Sequence, residues 1–332
     1  MQQSLITVGL PVYNAMPYLL EAMESLFAQR YCGFEILAIV DGATDGSLEY
    51  LRSLAVMPSV GRRLRILTQE NQGITSTLNR MLRECRTPWL VRQDADDVSH
   101  PERIGRLLSA IESVPQAGMF YSLANYHPRG RAVGSFRCSR GTPRQLREIV
   151  CNGYLLSICH PTVALNVEKT LALGGYRIGL HNEDAHLWWR MALHHEIHCM
   201  PEELVGFRQN TESVSARNLA EQMLASLYVQ YLLVSHLAGR APRPFTAVQT
   251  HLQRFLSSGR LRAKEHLREF NIRLARKKRA RAAGALVASA VASPGYLFGR
   301  LRDELAPSRS GTPIMNGIAP QIFFRHQEAL WL

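Results

Sequence analysis

Short apolar runs alternate with longer amphipathic segments along the first third of the chain. The runs have the length of buried strands, and in the longer segments apolar residues recur every three or four positions, as on a helix. Strands are predicted over 5–10, 35–40, 64–67 and 89–92, and helices over 15–29, 47–55 and 74–84. This alternating order predicts an α/β fold, a mainly parallel sheet flanked by helices and joined by right-handed crossovers.

The pattern changes further along the chain. Residues 101–215 mix helix-like and strand-like segments. After residue 216 the pattern is helical, with helices predicted over 219–237, 245–256 and 260–281. The sequence therefore predicts a helical C-terminal extension of the α/β domain.

Polar turns, two of which contain glycine, follow the predicted strands. They occupy residues 12–14, 41–46, 70–73 and 94–97. Ligands of such sheets bind beyond the carboxyl ends of the strands, so we expect these turns to border one ligand site.

Acids dominate two of these turns. Asp94, Asp96 and Asp97 follow the fourth strand, and carboxylates so close together repel unless a cation lies between them. A divalent ion such as Mg²⁺ that bridges substrate phosphates would remove the conflict; capping of the helix that begins near Pro101 is the structural alternative. Asp41 could accept a hydrogen bond from a base N–H, and a turn with a helix cap is again the alternative.

Composition and charge exclude several classes of protein. Of 332 residues 46% are hydrophobic and 20% charged, which excludes general disorder and leaves enough chain for one large or two modest domains. The six cysteines form no CxxC pair, so we expect reduced thiols in a cytoplasmic protein. Residues 254–281 hold eleven Lys or Arg and two Glu, a formal +9 of the total +12, so the excess charge belongs to one segment.

Taken together, the motifs resemble glycosyltransferase family 2. The similarity covers roughly residues 4–217, with its blocks in the family's order and at its usual spacing. The blocks are TVGLPVYN (7–14), VDGATDGS (40–47), NQG (71–73), DADD (94–97) followed by Pro101, HPT (160–162), GGY (174–176), EDAHLWWR (183–190), and Phe207-Arg208 with Ser213 and Ser215. Two positions depart from the family pattern: Val40 stands where an acid is usual, and Asn210 where a His is frequent.

The resemblance implies the GT-A fold and inverting transfer from a nucleotide-diphosphate sugar, a UDP-sugar by family default. Residues 1–110 would form the nucleotide-sugar half of the domain, 111–217 the acceptor half, and 218–332 the helical, basic region. Asp184 would be the general base, and Asp96 with Asp97 would hold Mg²⁺ or Mn²⁺. The donor nucleotide would contact Pro11, Tyr13, Asn14, Asp41, Asn71, Gly73 and Asp94.

Other residues are candidates for the acceptor and the diphosphate. His160, Glu183, Trp188 and Trp189 are candidate acceptor contacts, and Arg208 a candidate diphosphate contact. Each has a structural alternative. The alternative is core packing for the histidine and the tryptophans, helix-dipole charge for Glu183, and an ordinary surface position for Arg208. The acceptor would be a saccharide or a lipid-linked molecule, most commonly in polysaccharide or lipopolysaccharide synthesis.

The basic segment is followed by an uncharged one, 282–299. We expect residues 254–299 to contact an anionic membrane from the cytoplasm, peripherally on the inner face of the plasma membrane; a solvated basic helix followed by a packing helix is the alternative. No nucleic-acid partner is expected, since aromatic interleaving is missing.

Three other functions compete with glycosyl transfer. Two alternatives remain open: a degenerate, transferase-like scaffold at the membrane and a sugar-nucleotide pyrophosphorylase. A pyrophosphorylase would require a glycine-rich basic loop at the position that residues 11–14 occupy. A dinucleotide dehydrogenase is disfavoured, because no GxGxxG follows the first strand.

Overall fold

The computed structural model describes residues 4–58, 60–127, 136–177, 179–208, 219–256, 258–275, 278–298 and 315–332. Its strands are β1 (Ile6–Val12), β2 (Glu35–Asp41), β3 (Leu64–Gln69), β4 (Trp89–Arg92), β5 (Val98–Ser99), β6 (Met119–His127), β7 (Leu155–Leu156), β8 (Val163–Asn166), β9 (Ile197–Arg208) and β10 (Met315–Asn316). A single 3-10 turn, His160–Thr162, precedes β8.

The helices alternate with the strands in the first half and then dominate. They are α1 (Tyr18–Phe27), α2 (Ser47–Ala55), α3 (Ile74–Glu84), α4 (Arg103–Ser113), α5 (Pro143–Cys151), α6 (Val167–Ala172), α7 (Glu183–His194), α8 (Leu219–Leu237), α9 (Phe245–Gln253), α10 (Ser258–Ala275), α11 (Arg279–Ala292), α12 (Gln321–Arg325) and α13 (Gln327–Trp331). The strands and helices predicted for the first third of the chain are all present, with ends shifted by a few residues.

Eight strands form one mixed sheet in the order β3-β2-β1-β4-β8-β6-β9-β5. Neighbours from β3 to β4 are parallel, β8 runs antiparallel to both β4 and β6, and β9 is parallel to β6. The expected mainly parallel sheet is confirmed. Strands from 1–110 and from 111–217 share this sheet, whereas the expected boundary at 217 lies outside the described residues.

Both faces of the sheet are buried. Ile36, Ala38 and Val40 of β2 belong to one hydrophobic cluster, while Leu37 and Ile39 belong to the other. Side chains alternate between the faces of a strand, so a strand covered on both sides is apolar at every position. This double burial explains the continuous apolar runs in the sequence.

Residues of α8, α9, α12 and α13 belong to the hydrophobic cluster on one face of the sheet. The basic part of the helical region differs from the prediction. The helix predicted over 260–281 is two helices, α10 and α11, separated near Lys278. Ser289 Oγ donates to the Ala263 carbonyl at 2.8 Å, and an Arg273 guanidinium nitrogen donates to the Arg281 carbonyl at 2.9 Å. The first contact joins the start of α10 to the end of α11, and the second joins the end of α10 to the start of α11. The two helices therefore form an antiparallel hairpin.

None of the helices in the described residues is long and apolar enough to cross a membrane. All six cysteines lie within the described residues and are free thiols, as expected from their spacing.

Gln230 ties the last residues of the chain to the domain. Its amide nitrogen donates to the carbonyls of Gly153 (2.9 Å) and Ile318 (2.7 Å), and its amide oxygen accepts from the Ile318 N–H at 2.9 Å. The side chain is fully buried. Three separate segments therefore meet at one amide.

Gln230→Ala should lower the free energy of unfolding by about 3 kcal/mol, because it leaves buried backbone groups without partners. Urea denaturation followed by circular dichroism measures the change. Gln222→Ala, on the same helix at a half-buried position, is the matched control and should change stability little. Equal effects of the two substitutions would contradict this role of Gln230.

Candidate functional site: two acidic groups beside a buried arginine

Asp41, the last residue of β2, organises the loop that follows β3. Its Oδ1 accepts from Gln69 Nε2 (2.7 Å) and the Gln72 N–H (2.8 Å), and its Oδ2 accepts from the Gly73 N–H at 2.9 Å. The side chain is buried. These bonds leave acceptor capacity on Oδ2, so the loop role and the expected base contact are compatible.

The loops after β1 and β2 are joined to each other. Asn14 Oδ1 accepts from the Thr44 N–H at 2.8 Å, and Asp45 Oδ2 accepts from the Met16 N–H at 2.7 Å. Burial alone would raise the Asp45 pKa, but hydrogen bonds from Ser47 and Met16 outweigh it and lower the pKa. Tyr13 is 55% exposed beside this junction.

The loop after β3 reaches the same edge of the sheet. Gly42 has a φ of +71°, and a Cβ there would lie 2.8 Å from the Asn71 backbone nitrogen, so only glycine lets the two loops approach so closely. Asn71 is exposed, and Gly73, with a φ of +81°, precedes α3 in open space. Pro11 lies within β1 and is buried. The structure therefore brings the predicted donor residues to one edge, with Pro11 beneath it.

Asp94, Asp96 and Asp97 lie in the turn after β4, and each offers an oxygen within 4.8 Å of the others. The turn is closed by the Asp97 N–H, which bonds the Asp94 carbonyl at 3.2 Å. A tight turn, rather than side-chain alternation along an extended strand, brings the acids together.

The acidic turn fits a divalent cation. Burial and the Asp94 charge raise the pKa of Asp96 to about 6, and burial with the same charge raises that of Asp97 well above its usual range. Asp97 Oδ1 accepts from the Arg208 N–H, whereas its Oδ2 is buried without a partner in the described structure. Hard carboxylate oxygens that repel one another and lack donors suit Mg²⁺ or Mn²⁺.

Arg92, the last residue of β4, is a site residue that the sequence analysis missed. It is 4% exposed and forms an ion pair with Asp94. Its positive charge favours the ionised forms of Asp96 and Asp97, and also of Glu183 and Asp184. The sequence did contain a signal for this role: an arginine at the end of a buried strand, next to an acidic turn.

Arg103 holds the end of β4 in place through hydrogen bonds. It is fully buried, and its guanidinium donates to Gln93 Oε1 (2.7 Å), Ser99 Oγ (2.9 Å) and the carbonyls of Arg92 (2.7 Å) and Pro161 (2.5 Å). Burial lowers its pKa to about 10, so it remains charged at neutral pH. This network fixes the backbone that carries Arg92.

Glu183 and Asp184 form a second acidic group at the start of α7. Burial and the Asp184 charge raise the pKa of Glu183 to about 7, and burial raises the pKa of Asp184. Asp184 Oδ1 accepts from the Ala185 N–H at 2.7 Å, which orients the carboxylate at the helix N-terminus.

The two acidic groups share one electrostatic environment. Arg92 acts on both, and the Asp94 charge contributes to the raised pKa of Glu183. Arg92 thus lies within electrostatic range of both Asp96 and Asp184.

His160 lies between the acidic groups and the core. Its Nε2 is 2.9 Å from the Tyr176 hydroxyl, and its ring packs on Trp188 with centroids 5.5 Å apart. Burial, and secondarily Arg92, lower its pKa well below its usual range, so the imidazole is neutral.

Trp188 and Trp189 do not offer a ring to an acceptor. They are 1% and 5% exposed, respectively. Trp188 is covered by His160 and Tyr176, and Trp189 by His186 and His236. Both rings take the structural alternative, core packing, because α8 and the segment before α7 cover the helix.

Arg208, at the end of β9, contacts protein groups. Its Nε donates to the Asp96 carbonyl at 2.8 Å, its guanidinium pairs with Glu21, and its Cζ lies 4.8 Å from the Tyr18 ring centroid. It lies beside the acidic turn, and its contact with a diphosphate stays a prediction. Asn210, Ser213 and Ser215 lie outside the described residues.

The sequence matches known glycosyltransferases. The family model described as "Glycosyl transferase family 2" matches residues 7–166. The expected resemblance to glycosyl transferase family 2 is confirmed over these residues. This match includes the turns at 12–14, 41–46, 71–73 and 94–97, whereas the segment with Asp184 lies beyond it.

Curated relatives carry the same activity in their names. The transferase is 28% identical over 207 residues to the amylovoran biosynthesis glycosyltransferase AmsE of Erwinia amylovora, which is 59% of this chain and 73% of that protein. It is 29% identical over 190 residues to an uncharacterized glycosyltransferase of Haemophilus influenzae, 56% of this chain and 68% of the relative.

Solved structures share the fold. A mannosyltransferase from Pyrobaculum calidifontis, in complex with GDP-Man and Mn²⁺, aligns over 99% of this chain and 85% of its own, with a TM-score of 0.52 and 17% identity. TarS residues 1–349 of S. aureus, in complex with UDP-GlcNAc, aligns over 97% and 92%, with a TM-score of 0.53 and 15% identity. The expected GT-A fold is confirmed.

Arg103→Lys should destabilise the transferase by about 3 kcal/mol, since an ammonium cannot replace a four-bond guanidinium and leaves buried groups unpaired. Thermal and urea unfolding measure the loss. Arg106→Lys, on the exposed side of the same helix, is the control and should be nearly neutral. A tolerated Arg103→Lys would show that the network does not hold the strand end.

Proposed function

We propose that the transferase moves a sugar, with inversion, from a nucleotide-diphosphate sugar to a hydroxyl of a saccharide or lipid-linked acceptor. The observation that carries this proposal is that Arg92 acts on two acidic groups. One of these groups suits a cation, and the other contains Asp184. Two carboxylate sites with different tasks are what a single displacement needs: one for the leaving diphosphate and one for the attacking alcohol.

In this proposal the donor nucleotide lies on the edge formed by the loops after β1, β2 and β3. Asp41 Oδ2 accepts from the base, uracil by family default, and Asn14, Tyr13, Asn71 and Gly73 border the nucleoside. The neighbours in complex with GDP-Man and with UDP-GlcNAc support a nucleotide-sugar donor of this general class.

Asp96 and Asp97 would hold Mg²⁺ or Mn²⁺, with Asp94 beside the ribose or a metal-bound water. When bound, the cation supplies positive charge that stabilises the leaving diphosphate. Arg92 pairs with Asp94 and fixes it, and Arg208 adds a cation next to the acidic turn.

Asp184 would act as the general base. It takes the proton from the acceptor hydroxyl while the oxygen bonds to the anomeric carbon and the bond from that carbon to the diphosphate breaks. Burial raises its pKa, which makes the carboxylate a stronger base near neutral pH. Glu183, one residue away, and His160 would border the acceptor.

The setting we propose is polysaccharide or lipopolysaccharide synthesis at the cytoplasmic face of the plasma membrane, which residues 254–299 would contact. The biosynthetic name of the Erwinia relative supports the setting, and the basic C-terminal segment supports the location.

Metal and donor should bind together. UDP or GDP with Mn²⁺ should raise the Tm by several degrees, as expected when ligand exceeds its Kd about 100-fold, and EDTA should remove the effect. Asp96→Asn should abolish the metal-dependent rise. Glu70→Gln, an exposed acid on the same edge, is the control. A full shift in Asp96→Asn would exclude Asp96 as a metal ligand.

Asp184→Asn should reduce sugar transfer by roughly 100-fold or more, the usual contribution of a general base, while donor binding persists. Release of nucleoside diphosphate with a sugar acceptor measures turnover, and the Tm shift measures binding. Glu168→Gln, an exposed acid in the first turn of α6, controls for helix-dipole charge.

The same assays separate the competing functions. Unchanged turnover in Asp184→Asn would remove it from the mechanism. Donor binding without any transfer or hydrolysis by the wild-type chain would indicate a degenerate scaffold. Formation of a nucleoside triphosphate from the donor and pyrophosphate would indicate a pyrophosphorylase.

A further inference from the structure

The outer face of α11 is apolar and exposed. Ala282, Ala285 and Ser289 are buried on the side that faces α10. Val287 and Val291 are 63% and 79% exposed, and the spacing of four residues places them on one face of the helix. The two faces thus have separate tasks: small residues for close packing within the hairpin, and larger apolar side chains directed away from it.

A further exposed apolar side chain follows the helix. Phe298 is 71% exposed, and no charged residue occurs from 282 to 299. An exposed phenylalanine and two exposed valines in an uncharged stretch suit an apolar environment.

Cations lie at the N-terminal end of α11. Lys278, Arg279 and Arg281 are exposed at the beginning of α11, and Arg262 is exposed on α10. A basic end followed by an apolar face is the arrangement of a helix that lies in the plane of a membrane interface.

We propose that the hairpin docks on an anionic lipid bilayer, with Val287, Val291 and Phe298 entering the interface and Lys278, Arg279 and Arg281 meeting the lipid headgroups. The charge of the hairpin favours an anionic lipid surface as the partner, since these cations complement anionic lipid. Three side chains offer far less apolar area than the roughly 800 Å² per partner of a stable protein interface, which argues against a second copy of the chain. The inference deepens the membrane location under the proposed function and needs no sugar transfer.

The test is flotation of the full chain with vesicles of phosphatidylcholine alone or with phosphatidylglycerol added. Binding should require the anionic lipid and weaken at high salt. Val291→Asp should lower the vesicle-bound fraction at least tenfold. Arg279→Ser with Arg281→Ser should weaken binding roughly 25-fold, at about fivefold for each cation near the surface.

Two controls match these variants. Val56→Asp changes a valine that is 81% exposed at the end of α2, and Arg52→Ser with Arg83→Ser removes two exposed cations from α2 and α3. Both should bind like the wild type. Turnover with a water-soluble acceptor is followed in parallel, so loss of vesicle binding is distinguished from loss of transfer.

Several results would overturn the proposal. They are equal flotation with neutral vesicles, no flotation at all, or full binding by Val291→Asp. A wild-type chain that forms a dimer disrupted by Val291→Asp would assign the face to a second copy instead.

Discussion

Electrostatic repulsion among carboxylates is the constraint around which the site is built. Two acidic groups, the turn at 94–97 and the pair Glu183 and Asp184, lie where burial already penalises charge. Arg92 offsets part of this penalty through its ion pair with Asp94, and Arg103 fixes the strand end that carries it. The compensation is incomplete, since Asp97 Oδ2 has no partner among the described residues. A divalent cation at the acidic turn would complete this balance.

Much of the fold could be predicted because burial leaves a clear pattern in the sequence. The strands β1, β2 and β4 are covered on both faces and therefore appear as apolar runs, and topology then places their polar turns at one edge. The gathering of Asp41, Asp94 and Asp96 at that edge followed from strand order alone. Their chemical roles remain predictions, since strand order places residues without showing what they bind.

Other features could not be predicted from the sequence, because they depend on contacts between segments that are distant along the chain. Arg103 looks like a surface residue of an amphipathic helix, and its burial depends on the carbonyl of Pro161, far along the chain. Trp189 is buried because His236 of α8 packs on it, which the local sequence around residue 189 does not reveal. The break between α10 and α11 has the same origin, because the hydrogen bond from Ser289 to Ala263 joins positions that are distant along the chain.

The hydrogen bonds of Asp41 have a consequence for ligand selection. Because its carboxylate already holds the loop after β3 through two backbone N–H groups, that loop is ordered without a bound ligand. For the nucleotide that we propose to bind there, less conformational entropy would then be lost on association. A badly fitting base would meet a steric mismatch, since the loop cannot yield without breaking those bonds. Selection between purine and pyrimidine donors would then reside in the scaffold itself.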